Sequence, residues 1–251
     1  MKSQIGKLPT TIFDSKKIID YRNIAQVYSA KEDLWSWFIL RRISIYVTIL
    51  FIKLKLTPNM VSWLSFLGIL SSGFFMVLST PLSFFLAFIS YNVGYLFDCV
   101  DGEIARITKR TSKKGFFIDM LIQAATLPVF ISFIFTLLIQ NGYLVLTIWE
   151  SFALYGLVAF TIMSLLIPLS YQITLSKEME QDPVNKIRAK SFLFSIAGFL
   201  LGLPGFYVTL LLLIIVERYI ELPLTLFYIF SFLIILVLKV CARLFITLKS
   251  I

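Results

Sequence analysis

Long apolar segments are the feature that most constrains the fold of this chain. Between residues 60 and 245, several segments approach or exceed the roughly 20 apolar residues that a helix needs to cross a bilayer. Hydrophobic residues make up 59% of the 251 residues, whereas a soluble domain has about 45–50%. These properties predict an all-α, polytopic membrane protein that contains a six-helix transmembrane bundle.

Turn residues and prolines divide the apolar part of the chain into its predicted spans. The six spans are approximately 60–78, 81–98, 115–139, 144–169, 192–215 and 222–245. Pro128 is expected to kink the third span, and the Gly202–Gly205 stretch interrupts the fifth. The chain is long enough for one compact bundle and leaves no room for a second sizeable domain.

The first 56 residues are predicted to form two segments of different character. Residues 1–33 are polar and of mixed charge, without the apolar core of a signal peptide, and are interpreted as a cytosolic N-terminal segment. Residues 34–56 are apolar but are interrupted by four basic residues, Arg41, Arg42, Lys53 and Lys55. This pattern favours a helix lying in the membrane interface; the alternative is a transmembrane helix with basic flanks. Residues 34–251 are taken as one transmembrane domain.

The distribution of Lys and Arg predicts the orientation of the chain. With the N-terminus inside, the cytosolic parts are residues 1–57, 106–114, 176–190 and the C-terminal end. Together with the last part of the sixth span, which contains Lys239 and Arg243, they hold every Lys and Arg except Arg218. The positive-inside rule therefore predicts an integral protein of the plasma or inner membrane with a cytosolic N-terminus. Topology and contact with anionic membrane lipid account for the net charge of +9, so no nucleic-acid partner is expected.

Three acidic residues stand at the ends of two neighbouring spans. Asp98 closes the second span, Asp101 follows three residues later, and Asp119 lies near the start of the third span. Ionisable groups at membrane depth cost about 2.5–3.5 kcal/mol each on insertion scales, which makes them functional-site candidates. If both flanks are helical, a basic turn over residues 108–114 brings the three carboxylates to one membrane surface. The chain has no His, so a metal here would have oxygen ligands, as Mg²⁺ or Mn²⁺ prefers.

The residues around these acids follow a spaced pattern, Asp-x2-Asp-Gly-x2-Ala-Arg-x8-Gly-x3-Asp. Its seven fixed positions are Asp98, Asp101, Gly102, Ala105, Arg106, Gly115 and Asp119. The pattern resembles the signature of the CDP-alcohol phosphotransferase (CDP-alcohol phosphatidyltransferase) family, and seven residues in register are far more specific than a single glycine motif. The chain departs from that signature at its last position, where Gln123 replaces a fourth Asp.

The resemblance implies an enzyme that transfers a phospho-alcohol group from a CDP-alcohol donor to an acceptor hydroxyl and releases CMP, in phospholipid or phospho-polyol synthesis. Its implied metal ligands are Asp98, Asp101 and Asp119, the last also being catalytic. Its implied contacts with the CDP moiety are Asp98, Gly102, Ala105, Arg106 and Gly115. For Arg106 two roles stay open, anchoring a phosphate or bracing the carboxylates. A homodimer is also plausible by resemblance.

Gln123 occupies the position of the family's proton acceptor. A carboxamide can offer an oxygen to a metal, but it is a very poor base. Three interpretations follow. In the first, the protein is active and uses another base, metal-bound hydroxide or an already ionised acceptor. In the second, it is a non-catalytic relative that binds a CDP-linked nucleotide or lipid, and in the third, Gln123 is an engineered inactivating change. We favour the first. Glu103 is a candidate substitute base, although it is expected to project from a different helix face from Asp101 and to be open to solvent.

Three further features bear on the substrates and on a rival function. The segments 41–44 and 56–62 also resemble the family, the first of them its branch that joins CDP-inositol to an inositol phosphate. The candidate ligands for a phosphate on a lipid or polyol acceptor are Lys186, Arg188 and Lys190, unless they are only a basic loop that obeys the positive-inside rule. A cation transporter is the rival class, and the confinement of the acids to one membrane surface argues against it.

Overall fold

The fold is described from a computed structural model that covers residues 8–27, 34–175, 199, 202–220, 222–235 and 238. The regular structure of these residues is helical. The helices are α1 (Lys16–Ala25), α2 (Arg41–Lys53, preceded by a π-helical turn at Ser36–Leu40), α3 (Pro58–Val77), α4 (Pro81–Thr108), α5 (Lys113–Ala124), α6 (Thr126–Gln140), α7 (Ile148–Leu175), α8 (Leu203–Glu217) and α9 (Leu224–Ile235).

Four helical stretches among the described residues are long and apolar enough to cross a membrane. They are Pro58–Val77, Pro81–Thr108, Lys113–Gln140 (α5 with α6) and Ile148–Thr174. The shorter apolar helices α8 and α9 lie at the positions of the predicted fifth and sixth spans. Most of the remaining residues of these spans, and the whole 176–190 loop, fall outside the described part of the chain. The prediction of an all-α polytopic membrane protein is confirmed.

The bounds of two spans differ from those read from the sequence. The fourth begins at Ile148 because Thr147 and Glu150 cap its first turn: the Glu150 amide donates to Thr147 Oγ1 (3.3 Å), and the Thr147 amide to Glu150 Oε2 (2.7 Å). It then passes through Pro168 and ends at Leu175. The third span divides at Ala125, where Pro128 has no N–H to offer the carbonyl of Ala124.

The connection from α4 to α5 is short and capped at both ends. Lys109 ends α4 in the left-handed conformation, at φ 55°. Ser112 begins α5 by accepting a hydrogen bond from the Gly115 amide at 3.0 Å. Residues 109–112 therefore turn the chain back within a few residues and bring the end of α4 against the start of α5. The predicted basic turn lies at this place.

Two glycines allow α3 and α4 to approach each other closely. A Cβ atom added to Gly94 would lie 2.7 Å from the backbone nitrogen of Ile69, and one added to Gly68 would lie 2.8 Å from Gly94 Cα. Ser90 Oγ donates to the Gly68 carbonyl at 2.8 Å across the same contact. Small residues at a helix contact are typical of membrane bundles. This contact sets the position of α3 relative to the acidic end of α4.

We expect Gly94→Ala to lower the stability of the bundle, because the added methyl would displace the α3 backbone. Overpacking of this kind costs about 1–3 kcal/mol. Gly156→Ala is the matched control, since a Cβ there meets nothing within 4 Å. Thermal unfolding in detergent micelles is the measurement: a lower midpoint for Gly94→Ala alone is expected, and equal midpoints would contradict the close contact.

The helix over residues 34–53 is not among the four stretches that could span a membrane. One face of α2 is buried, with Arg41, Ser44, Ile45 and Thr48, and α2 packs against α4. Its other face exposes Ile43, Leu50 and, beyond the helix end, Leu54. An apolar face of this kind fits the expected interfacial helix; its depth in the membrane stays a prediction.

Candidate active site

A polar cavity lies where α3 begins, α4 ends and α5 begins. Its volume is about 260 Å³. Six of the residues predicted from the sequence line it: Asp101, Gly102, Ala105, Arg106, Gly115 and Asp119. The other lining residues are Pro58, Asn59, Ser62, Arg110, Thr111, Ser112 and Phe116. The first turns of α3 and α5 and the short connection between α4 and α5 therefore bring together residues that are far apart in the sequence.

The three predicted metal ligands lie together, and two of them, Asp101 and Asp119, line the cavity. Asp98, Asp101 and Asp119 each offer one carboxylate oxygen, and these oxygens lie within 4.8 Å of one another. Asp101 is only 7% exposed, and Ser62 Oγ donates a hydrogen bond to its Oδ2. Three carboxylates this close repel one another unless a positive charge lies between them. An all-oxygen donor set of this kind fits a hard divalent cation.

Arg106 lies in the cavity wall and is held from behind by the N-terminal helix. Its Nε donates to the backbone carbonyl of Ala25 at 2.6 Å. Its guanidinium lies beside Gly102, where an added Cβ would be 3.2 Å from Nη1. A side chain at Gly102 would thus press on Arg106 and narrow the cavity, whereas at Gly115 the nearest atoms would be at an ordinary 3.5 Å.

Several lining residues were not predicted as site residues. Ser62 donates a hydrogen bond to the buried carboxylate of Asp101 and so orients it. Asn59 lies in the cavity wall opposite Gly115. Both belong to the 56–62 segment that resembles the family, which was the available signal. Nothing in the sequence alone singled out Arg110 or Phe116.

Gln123 is exposed and is not among the lining residues of the cavity. It lies in the last turn of α5, four residues and therefore about 6 Å along the axis beyond Asp119. Its backbone carbonyl accepts a hydrogen bond from Thr126 Oγ1 at 2.7 Å. The carboxamide is therefore placed next to the acidic cluster along the helix, outside the described wall of the cavity.

Glu103 differs from the expectation stated for it. It is fully buried, at 0% exposure, rather than open to solvent. Its side chain contacts Arg41, Ser44 and Thr48 of α2, whereas Asp101 contacts α3 through Ser62. It does not line the cavity, so we discard it as a substitute base. The candidate acceptor ligands Lys186, Arg188 and Lys190 lie outside the described residues.

An ion pair within the N-terminal segment, between Arg22 and Asp14, is hydrogen-bonded to α2 and so attaches α1 to the rest of the molecule. Arg22 is fully buried and donates from Nε to Asp14 Oδ2 at 2.8 Å and from Nη1 to the Arg41 carbonyl at 2.9 Å. Burial would raise the pKa of Asp14, but hydrogen bonds from Arg22, Tyr46 and Thr11 together lower this pKa from 3.8 to about 2. The pair therefore stabilises the attachment of α1 fully above pH 3.8, and this stabilisation is lost as the pH falls through about 2.

We expect Asp14→Asn to loosen α1 at neutral pH, because Arg22 would lose its charged partner while it stays buried. Hydrogen exchange of the amides in Lys16–Ala25 is the measurement, with faster exchange as the expected result. Asp20→Asn is the control, since it removes the same charge from an exposed position of the same helix. Equal exchange in the two variants would contradict the role of the ion pair.

Comparisons with known proteins identify the family of the chain. A family model for the CDP-alcohol phosphatidyltransferases matches residues 55–227, so the chain belongs to that family and its resemblance is confirmed. A bifunctional IPC transferase and DIPP synthase of Thermococcus kodakarensis is 41% identical over 83 residues, which is 33% of this chain and 18% of the relative. A protein described in the same words from Archaeoglobus fulgidus is 29% identical over 164 residues, which is 61% of this chain and 32% of the relative.

The matched part is thus a third or less of the length of these curated relatives. No solved structure was found to match the chain.

Proposed function

We propose that this chain transfers a phospho-alcohol group from a CDP-alcohol to an acceptor hydroxyl and releases CMP, with Mg²⁺ or Mn²⁺ bound at the cavity. The observation that carries the proposal is the cluster of Asp98, Asp101 and Asp119, whose oxygens lie within 4.8 Å of one another. These are three of the acidic positions of the family pattern. Transfer of a phosphoryl-linked group depends mainly on positioning and on charge neutralisation, and this cluster suits both.

The roles of the residues follow from their places in the cavity. A divalent cation held by Asp98, Asp101 and Asp119 would neutralise the negative charge of the donor's pyrophosphate. Ser62 fixes the orientation of Asp101 through its hydrogen bond. Gly102, Ala105 and Gly115 leave room for the CDP moiety at the cavity wall, and Arg106 offers it a guanidinium. The acceptor oxygen forms a bond to phosphorus, and the bond to the oxygen of CMP breaks with its electron pair leaving on CMP.

The proton of the acceptor hydroxyl needs a base other than Gln123. We assign it to Asp119, which is the cavity-lining carboxylate on the same helix and one turn before Gln123. A carboxylate that also serves as a metal ligand is a weak base, so this route predicts slow turnover. The non-catalytic alternative, a protein that binds a CDP-linked nucleotide or lipid, is favoured by the same substitution at position 123.

The substrates and surroundings are proposed from the resemblance and the relatives. The donor we consider first is CDP-inositol, with a lipid or a phosphorylated polyol as acceptor and Lys186, Arg188 and Lys190 as candidates for its phosphate. We propose that residues 34–251 form one domain, that residues 34–56 lie in the membrane interface, and that the N-terminus and the cavity are cytosolic in a plasma or inner membrane. The homodimer also stays a prediction; cross-linking in native membranes is its test.

The test of the proposed function is CMP release from a panel of CDP-alcohols by the purified protein, with and without Mg²⁺ or Mn²⁺. The panel contains CDP-inositol, CDP-glycerol and CDP-diacylglycerol, each with lipid and polyol acceptors. Metal-dependent release from at least one pair is expected. Binding of CMP together with the metal, but no release from any pair, would favour the non-catalytic alternative. If the protein neither binds CMP with the metal nor releases CMP from any pair, the proposal is refuted.

A further inference from the structure

Glu103 is a buried acid for which the proposed reaction has no use. It follows Gly102 directly and lies two residues after the cavity-lining Asp101. Its exposure is 0%. A buried carboxylate is costly unless it is paired and fully hydrogen-bonded. Its location beside the acidic motif therefore points to a role in the same part of the molecule.

Four side chains from the N-terminal part of the chain converge on Glu103. Its Oε1 accepts from Arg41 Nη1 at 2.9 Å, from Ser44 Oγ at 2.6 Å and from Gln26 Nε2 at 2.8 Å. Its Oε2 accepts from Thr48 Oγ1 at 2.7 Å. Arg41, Ser44 and Thr48 are spaced by three and four residues and so share one face of α2. Both oxygens of Glu103 are thereby fixed in direction.

The same N-terminal segment also holds Arg106. The Ala25 carbonyl accepts from Arg106 Nε at 2.6 Å, and Ala25 is the neighbour of Gln26. The Gln26 amide is oriented in turn by Arg22, whose Nη1 donates to Gln26 Oε1 at 3.0 Å. Glu103 and Arg106 are three residues apart and lie on one face of α4. One face of the motif helix is thus attached to α1 and α2 at two successive points.

We propose that Glu103 is a positioning residue for the active site, held by Arg41, Ser44, Thr48 and Gln26. By fixing the rotation of α4 about its axis, these contacts keep Asp98 and Asp101 directed toward Asp119 and keep Arg106 in the cavity wall. A displacement of about 1 Å can cost roughly 10²-fold in rate, so such a constraint matters for metal binding and turnover. The inference rests on the proposed function, because it assigns Glu103 to the same site.

The experiment compares Glu103→Gln with wild type in the full-length protein. The Gln side chain has the same shape but presents an NH₂ group to the donors that surround it. The readouts are the Kd for Mn²⁺ in the presence of CMP, measured by electron paramagnetic resonance, and kcat and KM for CMP release. We expect about tenfold weaker Mn²⁺ binding and about tenfold lower kcat, at the low end of losses seen when the residues behind metal ligands are changed.

Thr136→Val is the matched control for a purely structural effect. Thr136 is fully buried, and its Oγ1 donates to the Met76 carbonyl at 2.8 Å between α6 and α3. It is not among the lining residues of the cavity. This variant is expected to change the thermal midpoint while the folded protein keeps the wild-type Kd for Mn²⁺. A purely structural role for Glu103 would give the same result in Glu103→Gln.

Arg41→Lys and Arg41→Met test the partner of Glu103. Lys keeps the positive charge beside Glu103, and Met removes it. We expect Arg41→Met to weaken Mn²⁺ binding about tenfold and Arg41→Lys to recover much of the loss. If Arg41→Met does not fold, the comparison of Glu103→Gln with Thr136→Val decides whether Glu103 positions the active site.

The outcomes separate this inference from the proposed function. Unchanged Mn²⁺ affinity and kcat in folded Glu103→Gln would overturn the positioning role alone. Wild-type protein that binds Mn²⁺ and CMP without turnover would refute the proposed reaction, and the Kd of Glu103→Gln would still decide the positioning role. Wild-type protein that binds no Mn²⁺ would overturn both.

Discussion

Asp101→Asn is expected to lower metal-dependent CMP release by about 1,000-fold, the equivalent of roughly 4 kcal/mol of lost transition-state stabilisation. Asp101 is the most buried of the three clustered acids, and its Oδ2 accepts from Ser62. Asn keeps the shape and an oxygen for Ser62, so the fold is expected to survive. What is lost is the negative charge that would attract the cation. The measurement is CMP release at saturating Mg²⁺, together with Mn²⁺ binding.

Asp20→Asn is the control for this loss of charge. Asp20 is exposed on α1 and is not among the cavity-lining residues. Its substitution removes one negative charge from the same chain and is expected to leave release and Mn²⁺ affinity unchanged. An Asp101→Asn protein that releases CMP at the wild-type rate would show that the acidic cluster is not the site of reaction.

Gln123→Asp is expected to raise CMP release by about 10²-fold, the low end of what a positioned general base contributes. The substitution places a carboxylate one turn beyond Asp119 and completes the acidic pattern of the family. Because Gln123 is exposed, the new charge would remain solvated and folding would be little affected. Initial rates of CMP release at saturating metal and donor are the measurement.

Gln123→Asn is the matched control, because it shortens the side chain by the same amount without creating a carboxylate. It is expected to release CMP no faster than wild type. Equal rates in Gln123→Asp and Gln123→Asn would mean that the proton of the acceptor does not pass through position 123. A large gain in the rate of CMP release in both variants would mean that the shorter side chain, and not the carboxylate, causes the effect.

The acidic cluster could be predicted from the sequence because each of its parts is encoded locally. Helical spacing places Asp98 and Asp101 on one face, and the capped turn before Gly115 returns Asp119 to the same end. The apolar segments likewise indicated the class of fold. The end of the fourth span was not predictable in this way, since Pro168 lies inside a helix that continues to Leu175.

The role of Glu103 could not be predicted, because its partners are distant in the chain. Gln26 is 77 residues away and Arg41 is 62 residues away. An acidic residue that follows Gly102 looks like a candidate base when only the local motif is considered. Which face of a helix is covered by an earlier segment depends on tertiary packing, and spacing within the helix carries no information about it. The hydrogen bond from Arg106 to the carbonyl of Ala25 could not be predicted either, because the sequence does not indicate which backbone carbonyl accepts it.

The pairing of Glu103 with Arg41 has a practical consequence for expression of the protein. The family match begins at residue 55, which would be a natural place to start a shortened gene. Such a truncation would remove Gln26, Arg41, Ser44 and Thr48, which are the hydrogen-bond partners of Glu103, and would uncover the side of α4 against which α2 packs. We therefore expect that the start of the family match is not the start of the folding unit, and that a stable fragment includes at least α2.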